Sequence, residues 1–177
     1  MSDTAVSGLV TVRPLQTPDL DLMVRWKSQP HLRPFYVKTK PPDPEDTHRS
    51  YGNKCGDAGP TFGTIACVDG TPYGYLQWYL NRSWPEWGRE TIGRSNGASI
   101  DYFIGETWAL GRGLGSAMLR ALVHAVMLRL TGPDRRLFIG HDSRNRRAIR
   151  CTQAAGFRPD GTFKEDGVAF DLFLHEG

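Results

Sequence analysis

The stretch Leu110-Gly111-Arg112-Gly113-Leu114-Gly115-Ser116 stands between a β-rich run and a long run of helical apolar periodicity, so it sets a glycine-rich turn at a helix start. Such a turn can bind an anion. Glycines at 111, 113 and 115 let the chain bend and bring a phosphate close to the main chain without interference from Cβ atoms. The first N–H groups of a helix have no intrahelical partner, and the positive end of the helix dipole reinforces them. Arg112 adds a full positive charge. The pattern departs from two familiar phosphate loops. A dinucleotide fingerprint G-x-G-x-x-G needs Gly where Ser116 stands, and a P-loop needs Gly-Lys-Ser/Thr.

A second chemical candidate is Asp101, inside Ser99-Ile100-Asp101-Tyr102-Phe103-Ile104. Aspartate is a poor strand former, and a carboxylate taken out of water needs a partner. The two-residue period of a strand puts Asp101 on the face of Ser99 and Phe103, away from Ile100 and Tyr102. A structural ion pair with a nearby Arg is the plain alternative to a chemical role.

Two segments taken together point to one ligand: the turn at 110–116, and Asn145-Arg146-Arg147-Ala148-Ile149-Arg150-Cys151 followed by Ala155-Gly156-Phe157. The pair resembles the acetyl-CoA site of GNAT superfamily acetyltransferases. In that superfamily the loop reads Gln/Arg-x-x-Gly-x-Gly/Ala, and the next helix carries Asn-x-x-Ala and ends in Gly-Phe. Leu110 stands at the Gln/Arg position, a substitution familiar in the aminoglycoside 6'-N-acetyltransferases and siderophore N-acyltransferases. Ser99-Ile100-Asp101 resembles the Gly-Ile-Asp of the aminoglycoside group, where the siderophore enzymes carry His. The pattern Asp69-Gly70-x-Pro72-x-Gly74-Tyr75-x-Gln77-x-Tyr79 agrees with that group, as does Arg147-Ala148-Ile149-Arg150-Cys151. Trp26, His31 and the pair Phe35-Tyr36 resemble its N-terminal segment more loosely.

The resemblance implies one GNAT domain over residues 1–177: an α/β (α+β) fold whose mixed, mostly antiparallel sheet has about six to seven strands and is flanked by about four helices. It implies acetyl transfer from acetyl-CoA to a 6'-amine of an aminoglycoside antibiotic, and hence resistance. Leu110, Gly111, Arg112, Gly113, Leu114, Gly115 and Ser116 would hold the cofactor's pyrophosphate, and a backbone N–H at Phe103 or Ile104 would polarise the acetyl carbonyl. Asn145, with Ala148 of the same motif, would bind the pantetheine arm or order the loop. Asp101 would attract the cationic sugar and take the amine proton directly or through water, because a protonated amine cannot attack a thioester. Further substrate contacts are expected from Trp26, Tyr79, Trp84, Glu86, Trp87, Glu90 and Asp142.

Two departures bear on mechanism. Thr152 stands where the superfamily often has a Tyr that can protonate the leaving thiolate. Gly140 stands where the aminoglycoside group tends to have Asp, which leaves open a 2'-amine as acceptor, as in kasugamycin-type acetyltransferases. Cys151, with apolar neighbours in a helix, reads as core, so direct transfer is expected. A siderophore or other small-amine acyltransferase is the alternative enzyme, and an acyl-CoA-sensing module without turnover is the alternative from another class, since a cofactor motif alone does not imply catalysis.

Composition narrows the class further. The 177 residues, 39% of them hydrophobic, suit one domain with a sizeable core. With 22 basic and 19 acidic residues, the net charge of +3 does not suggest nucleic acid. Arg144, Arg146, Arg147 and Arg150 read as a solvated face or as neighbours of the cofactor phosphates. Three cysteines without C-x-x-C spacing and five histidines without an H-x-x-x-H pair disfavour a disulfide framework and a metal site. No run approaches the ~20 apolar residues of a membrane span, and Met1 to Gly8 does not read as a signal peptide. A cytoplasmic monomer or homodimer is expected.

The elements that must position these residues follow from periodicity and punctuation. Leu9 to Arg13 alternates as a strand, and Thr17-Pro18-Asp19 reads as the cap and first turn of a helix to about Lys27. Pro41 to Asp46 starts a second helix through about Tyr51. Phe62 to Val68, Asp69-Gly70 and Tyr73 to Leu80 read as a hairpin, and Gly97 to Ile104 as a strand. Leu114, Met118, Leu122, Val126 and Leu130 recur at steps of four, giving a helix that Gly132-Pro133 ends. A strand from Arg136 to His141, a helix from Arg144 to Ala155, and strands at 157–163 and 168–174 joined by Asp166-Gly167 complete the chain. Asn81 to Asn96 reads as a long aromatic loop, serving either as an extended hairpin or as a substrate lid.

Overall fold

The computed structural model describes residues 8–35, 43–57 and 59–177. In chain order the elements are β1 (Val10–Pro14), α1 (Leu20–Lys27), α2 (Pro44–Gly52), β2 (Phe62–Val68), β3 (Thr71–Leu80), β4 (Ala98–Ile104), α3 (Leu114–Met127), β5 (Arg136–Asp142), α4 (Arg146–Ala154), β6 (Arg158–Glu165) and β7 (Val168–Glu176). This is the expected succession. Pro41, Pro42 and Tyr36 lie outside the described residues.

The seven strands form one mixed sheet in the order β1-β2-β3-β4-β5-β7-β6. Antiparallel pairing joins β1 to β2 and β7 to both β5 and β6, while β4 and β5 run parallel. The link from β2 to β3 is tight because Asp69 and Gly70 adopt φ of 48° and 79°, as a two-residue hairpin turn of type I′ requires. Parallel strands cannot be joined by such a turn, so β4 reaches β5 through α3. Pairing of β4 with β5 is confined to Ala98 with Leu137 and Ser99 with Phe138. By contrast, β5 and β7 stay in register from Arg136 with Glu176 to Asp142 with Phe170.

The chain divides into two compact units. One runs up to Gln77 and includes Tyr102–Met118; the other comprises Trp78–Asp101 and Leu119–Gly177. The core of the first gathers Leu15, Met23, Trp26, Ile65, Tyr75 and Phe103, all buried. Trp26 meets Phe103 edge to face with ring centroids 6.2 Å apart. A Cβ at Gly105 would fall 2.1 Å from the Trp26 ring, so glycine there lets the indole lie against the main chain after β4. The core of the second unit gathers Ile92, Phe138, Phe163, Leu172 and Leu174, with Trp87 and Phe170 packed against it. The apolar stripe of α3 is buried as the step of four requires, with Leu114, Met118, Leu122 and Val126 each at most 2% exposed; the helix ends at Met127, before the buried Leu130 and the expected stop at Gly132-Pro133.

Two local expectations are corrected. Thr17 does not cap α1: Thr17–Asp19 form a 3-10 turn whose Asp19 carboxylate accepts the Gln16 N–H at 2.9 Å. Arg13 donates two further bonds to Asp19, at 2.7 and 2.8 Å, and holds that carboxyl below its ordinary range. The expected long loop from Asn81 to Asn96 is not irregular throughout. Asn81–Ser83 form a 3-10 turn and Glu86–Thr91 a wide π-helical turn, with the Ile92 N–H bonded to the Trp87 carbonyl at 3.0 Å. Asp134 fastens it at both ends, pairing with Arg82 and accepting the Gly97 N–H at 3.0 Å. Arg94 ties it to β6 through Asp160 at 2.9 Å.

Candidate active site

The first unit carries the glycine-rich turn. Gly111 and Gly113 adopt φ of 74° and 76°, conformations that L side chains rarely take. Both are exposed, and nothing lies within 4 Å of where their Cβ atoms would be. The turn therefore presents bare main chain to solvent. Helix α3 starts at Leu114, and its Ala117 N–H already bonds the Gly113 carbonyl, which leaves the earlier amides of the first turn for an anion. The Tyr73 hydroxyl anchors this end by donating to the buried Leu114 carbonyl at 3.0 Å, and the Ser116 hydroxyl donates to the Gly113 carbonyl at 2.9 Å. Arg112 is exposed beside these groups.

Before the turn, β4 ends against β3: the Tyr73 carbonyl accepts both the Gly105 and Glu106 N–H groups, at 2.9 and 3.1 Å. The Ile104 carbonyl is bonded to His31 Nε2 at 2.8 Å. This gives His31, which the sequence placed only loosely, a definite partner at the strand end.

The second unit carries Asp101. Its carboxylate hydrogen-bonds the hydroxyl of Tyr79, which also contacts Ser99. Burial first, then the charges of Asp101 and Glu165, push the Tyr79 phenol above its ordinary range, so it stays protonated and can donate. Ser99 and Asp101 thus share a face, as the strand period requires. Glu165, near the turn at Asp166-Gly167, is a second carboxylate acting on this phenol; its place beside turn residues gave no sequence signal for the role.

A buried polar network lies beneath. The Ser99 hydroxyl, 1% exposed, donates to Asn81 Oδ1 at 2.7 Å and accepts the Trp87 indole N–H at 2.8 Å. Asn81, 0% exposed, donates its amide to the carbonyls of Arg94 at 2.9 Å and Asn96 at 3.4 Å. Trp87 meets Phe163 edge to face at 5.4 Å.

The remaining expected contacts divide. Trp84 is 44% exposed and lies edge-on to Tyr79 at 6.4 Å, so its ring is available. Glu86 and Glu90 are exposed on the π-helical turn, Glu90 paired with Arg89 at 3.0 Å. Trp26 is 0% exposed, and its indole N–H donates to Glu106 at 2.8 Å. Trp87 is likewise drawn into packing and the Ser99 bond. The carboxylate of Asp142 is taken up by Arg144, through its guanidinium at 2.6 Å and its backbone N–H at 2.9 Å. Asn145 caps α4, its Oδ1 accepting the Ala148 N–H at 3.2 Å. Cys151 is half-buried instead of enclosed.

Thr152 is fully buried and shares a 2.7 Å hydrogen bond with His141 Nε2. Burial lowers the His141 pKa to about 4, against a smaller opposing effect of Asp171, so the ring is neutral at pH 7. Among the described residues no group of three or more His, Cys, Asp or Glu could hold a metal ion, and no helix is long and apolar enough to cross a membrane.

Comparison with known proteins identifies the family and the fold. Residues 16–164 match the family model described as an acetyltransferase (GNAT) domain. The aminoglycoside N(6')-acetyltransferase type 1 of Klebsiella pneumoniae is 30% identical over 159 residues, covering 86% of this chain and 76% of that protein. The enzyme of the same name from Serratia marcescens matches equally, with 30% identity and the same coverage. Among solved structures, the aminoglycoside acetyltransferase AAC(6')-Ib in complex with coenzyme A and kanamycin superposes with a TM-score of 0.80 at 24% identity, over 95% of both chains. The chain belongs to the GNAT acetyltransferase family, and is an acetyl-CoA-dependent N-acetyltransferase similar to the aminoglycoside 6'-N-acetyltransferases.

Proposed function

We propose that this chain acetylates an amine of an aminoglycoside, with Asp101 as the base, and acts in the cytoplasm as one domain over residues 1–177. The observation that carries the reading is the Asp101 carboxylate, held by a protonated phenol on the same face of the sheet as Ser99. A carboxylate so oriented can pair with an ammonium group and then accept its proton, directly or through water. The exposed Trp84 ring offers a flat surface to a sugar, and Glu165 a second negative charge.

The glycine turn fits a phosphate-bearing donor, since its two positive-φ glycines leave open the space that Cβ atoms would fill. Acetyl-CoA, when bound, supplies an activated acetyl thioester. The amides at Leu114, Gly115 and Ser116, with Arg112, would hold its pyrophosphate, and a β4 N–H at Phe103 or Ile104 would polarise the carbonyl. Thr152, buried and bonded to His141, leaves the departing thiolate to take its proton from solvent.

The names of the homologues favour a 6'-amine, while Gly140 in place of an Asp keeps a 2'-amine, as in kasugamycin, in view. A panel of aminoglycosides with acetyl-CoA and thiol-release detection tests the reading. Mass spectrometry and NMR of products from kanamycin and kasugamycin would locate the acetyl group. Acetylation of a hydroxamate precursor or a protein amine, with neither antibiotic modified, would overturn it.

A further inference from the structure

We propose that Ser99, Trp87 and Asn81 are positioning residues that set the Asp101 carboxylate through Tyr79; this rests on Asp101 being the base.

A serine hydroxyl has one proton and two lone pairs. At Ser99 the proton goes to Asn81 Oδ1 at 2.7 Å and one lone pair takes the Trp87 indole N–H at 2.8 Å, while the Tyr79 hydroxyl, its own proton directed to Asp101, rests against the oxygen and is positioned by that contact. That same Tyr79 hydroxyl holds Asp101, two residues along β4 on the same face. One buried hydroxyl therefore links the segment 81–97 to the group that orients the carboxylate.

The link is stiff at every step. The Asn81 amide is spent on the Arg94 and Asn96 carbonyls. Gly88 admits the close approach, for a Cβ there would lie 2.8 Å from Asn81. The Trp87 indole, edge-on to Phe163 at 5.4 Å, is fixed before it donates. The Ser99–Asn81 bond is buried, and in such surroundings hydrogen bonds are strong and reinforce their neighbours. A base displaced by an ångström loses much of its rate, so fixing the phenol that fixes the carboxylate acts on catalysis, not only on stability.

The test measures steady-state kinetics of Trp87→Phe and Ser99→Ala, each in the unaltered chain and in Asp101→Asn. Trp87→Phe keeps an aromatic ring against Phe163 while removing the N–H, so it carries the test if Ser99→Ala does not fold. Each variant is expected to lower kcat roughly 5- to 20-fold in the unaltered chain and less than roughly twofold when Asp101 is already Asn. The KM for acetyl-CoA and its affinity by calorimetry should stay near those of the unaltered chain, and the melting temperature of Trp87→Phe should fall only by the few degrees that loss of one hydrogen bond implies. Equal losses in the two backgrounds, or full kcat in both variants, would overturn the positioning role. Unaltered turnover by Asp101→Asn alone would instead overturn the reading of Asp101 as base.

Discussion

The ring of Phe163 on β6 lies over the main chain of Gly140 on β5, so closely that a Cβ at 140 would stand 2.8 Å from its Cζ and 3.0 Å from its Cε1. The Trp87 ring is 3.5 Å from the same point. The Asp that resemblance to the aminoglycoside group would put at this position has no room here. The absence of that acid is thus a packing choice, shared among three residues from three elements.

Replacing Gly140 by Ala forces the Phe163 ring to move and should destabilise the protein by about 1–3 kcal/mol, the usual cost of overpacking a close-packed core. Gly140→Asp should cost more, because the carboxylate also loses water. Urea unfolding of both variants measures this, and Phe163→Ala combined with Gly140→Asp should recover part of the loss attributable to the clash.

Gly113→Val places a β-branched residue at a φ of 76° where nothing crowds the Cβ position. The strain is about 1–2 kcal/mol, so the fold should form. The side chain then stands over the helix start, and acetyl-CoA affinity should fall by roughly tenfold or more. Calorimetric titration with acetyl-CoA measures it, with far-UV circular dichroism as the control.

Asp101→Asn keeps size and shape but removes charge and basicity. The expected result is a loss of roughly 10²-fold or more in kcat/KM, with acetyl-CoA affinity retained. Thiol release followed across pH reads both.

Stability should fall as acid enters the range of His141. Its folded-state pKa is lowered to about 4 by burial, below the value near 6.5 of an exposed histidine. Between those values the unfolded chain binds the extra proton, so the contribution is complete above pH 6.5 and lost on descent towards pH 4. It amounts to about 3 kcal/mol. His141→Asn should flatten this part of the profile of unfolding free energy against pH relative to the unaltered chain, which the carboxylates alone would not do.

How far the chain could be read from its residues follows from where the signals are local. The step of four from Leu114 to Val126 and the Asp-Gly turns at 69–70 and 166–167 depend on neighbours in sequence, and each is in place. The glycine turn belongs to the same kind, because its bare main chain is a property of its own dihedral angles. Residues 81–97 were illegible for the opposite reason. Asn81, Trp87 and Arg94 find their partners at Ser99 and Asp160, and without those partners the segment has only a loop's composition. Trp26 left two readings open, because a large amphipathic ring suits a sugar and a core alike, and its 0% exposure is a long-range fact that no local pattern announces. His141 and Thr152, eleven residues apart, gave no pattern, since their bond joins a strand to a helix.

Strand β4 changes company part-way along. Its first two residues are laddered to β5, and from Ile100 onward the register with β5 has ended, whereas β7 is in register with strands on both sides. A strand whose ladder to one neighbour is two residues long is held less firmly on that side than one laddered along its length on both. Amide exchange should record the difference, with β7 opening only on global unfolding and the distal half of β4 exchanging through smaller, local fluctuations.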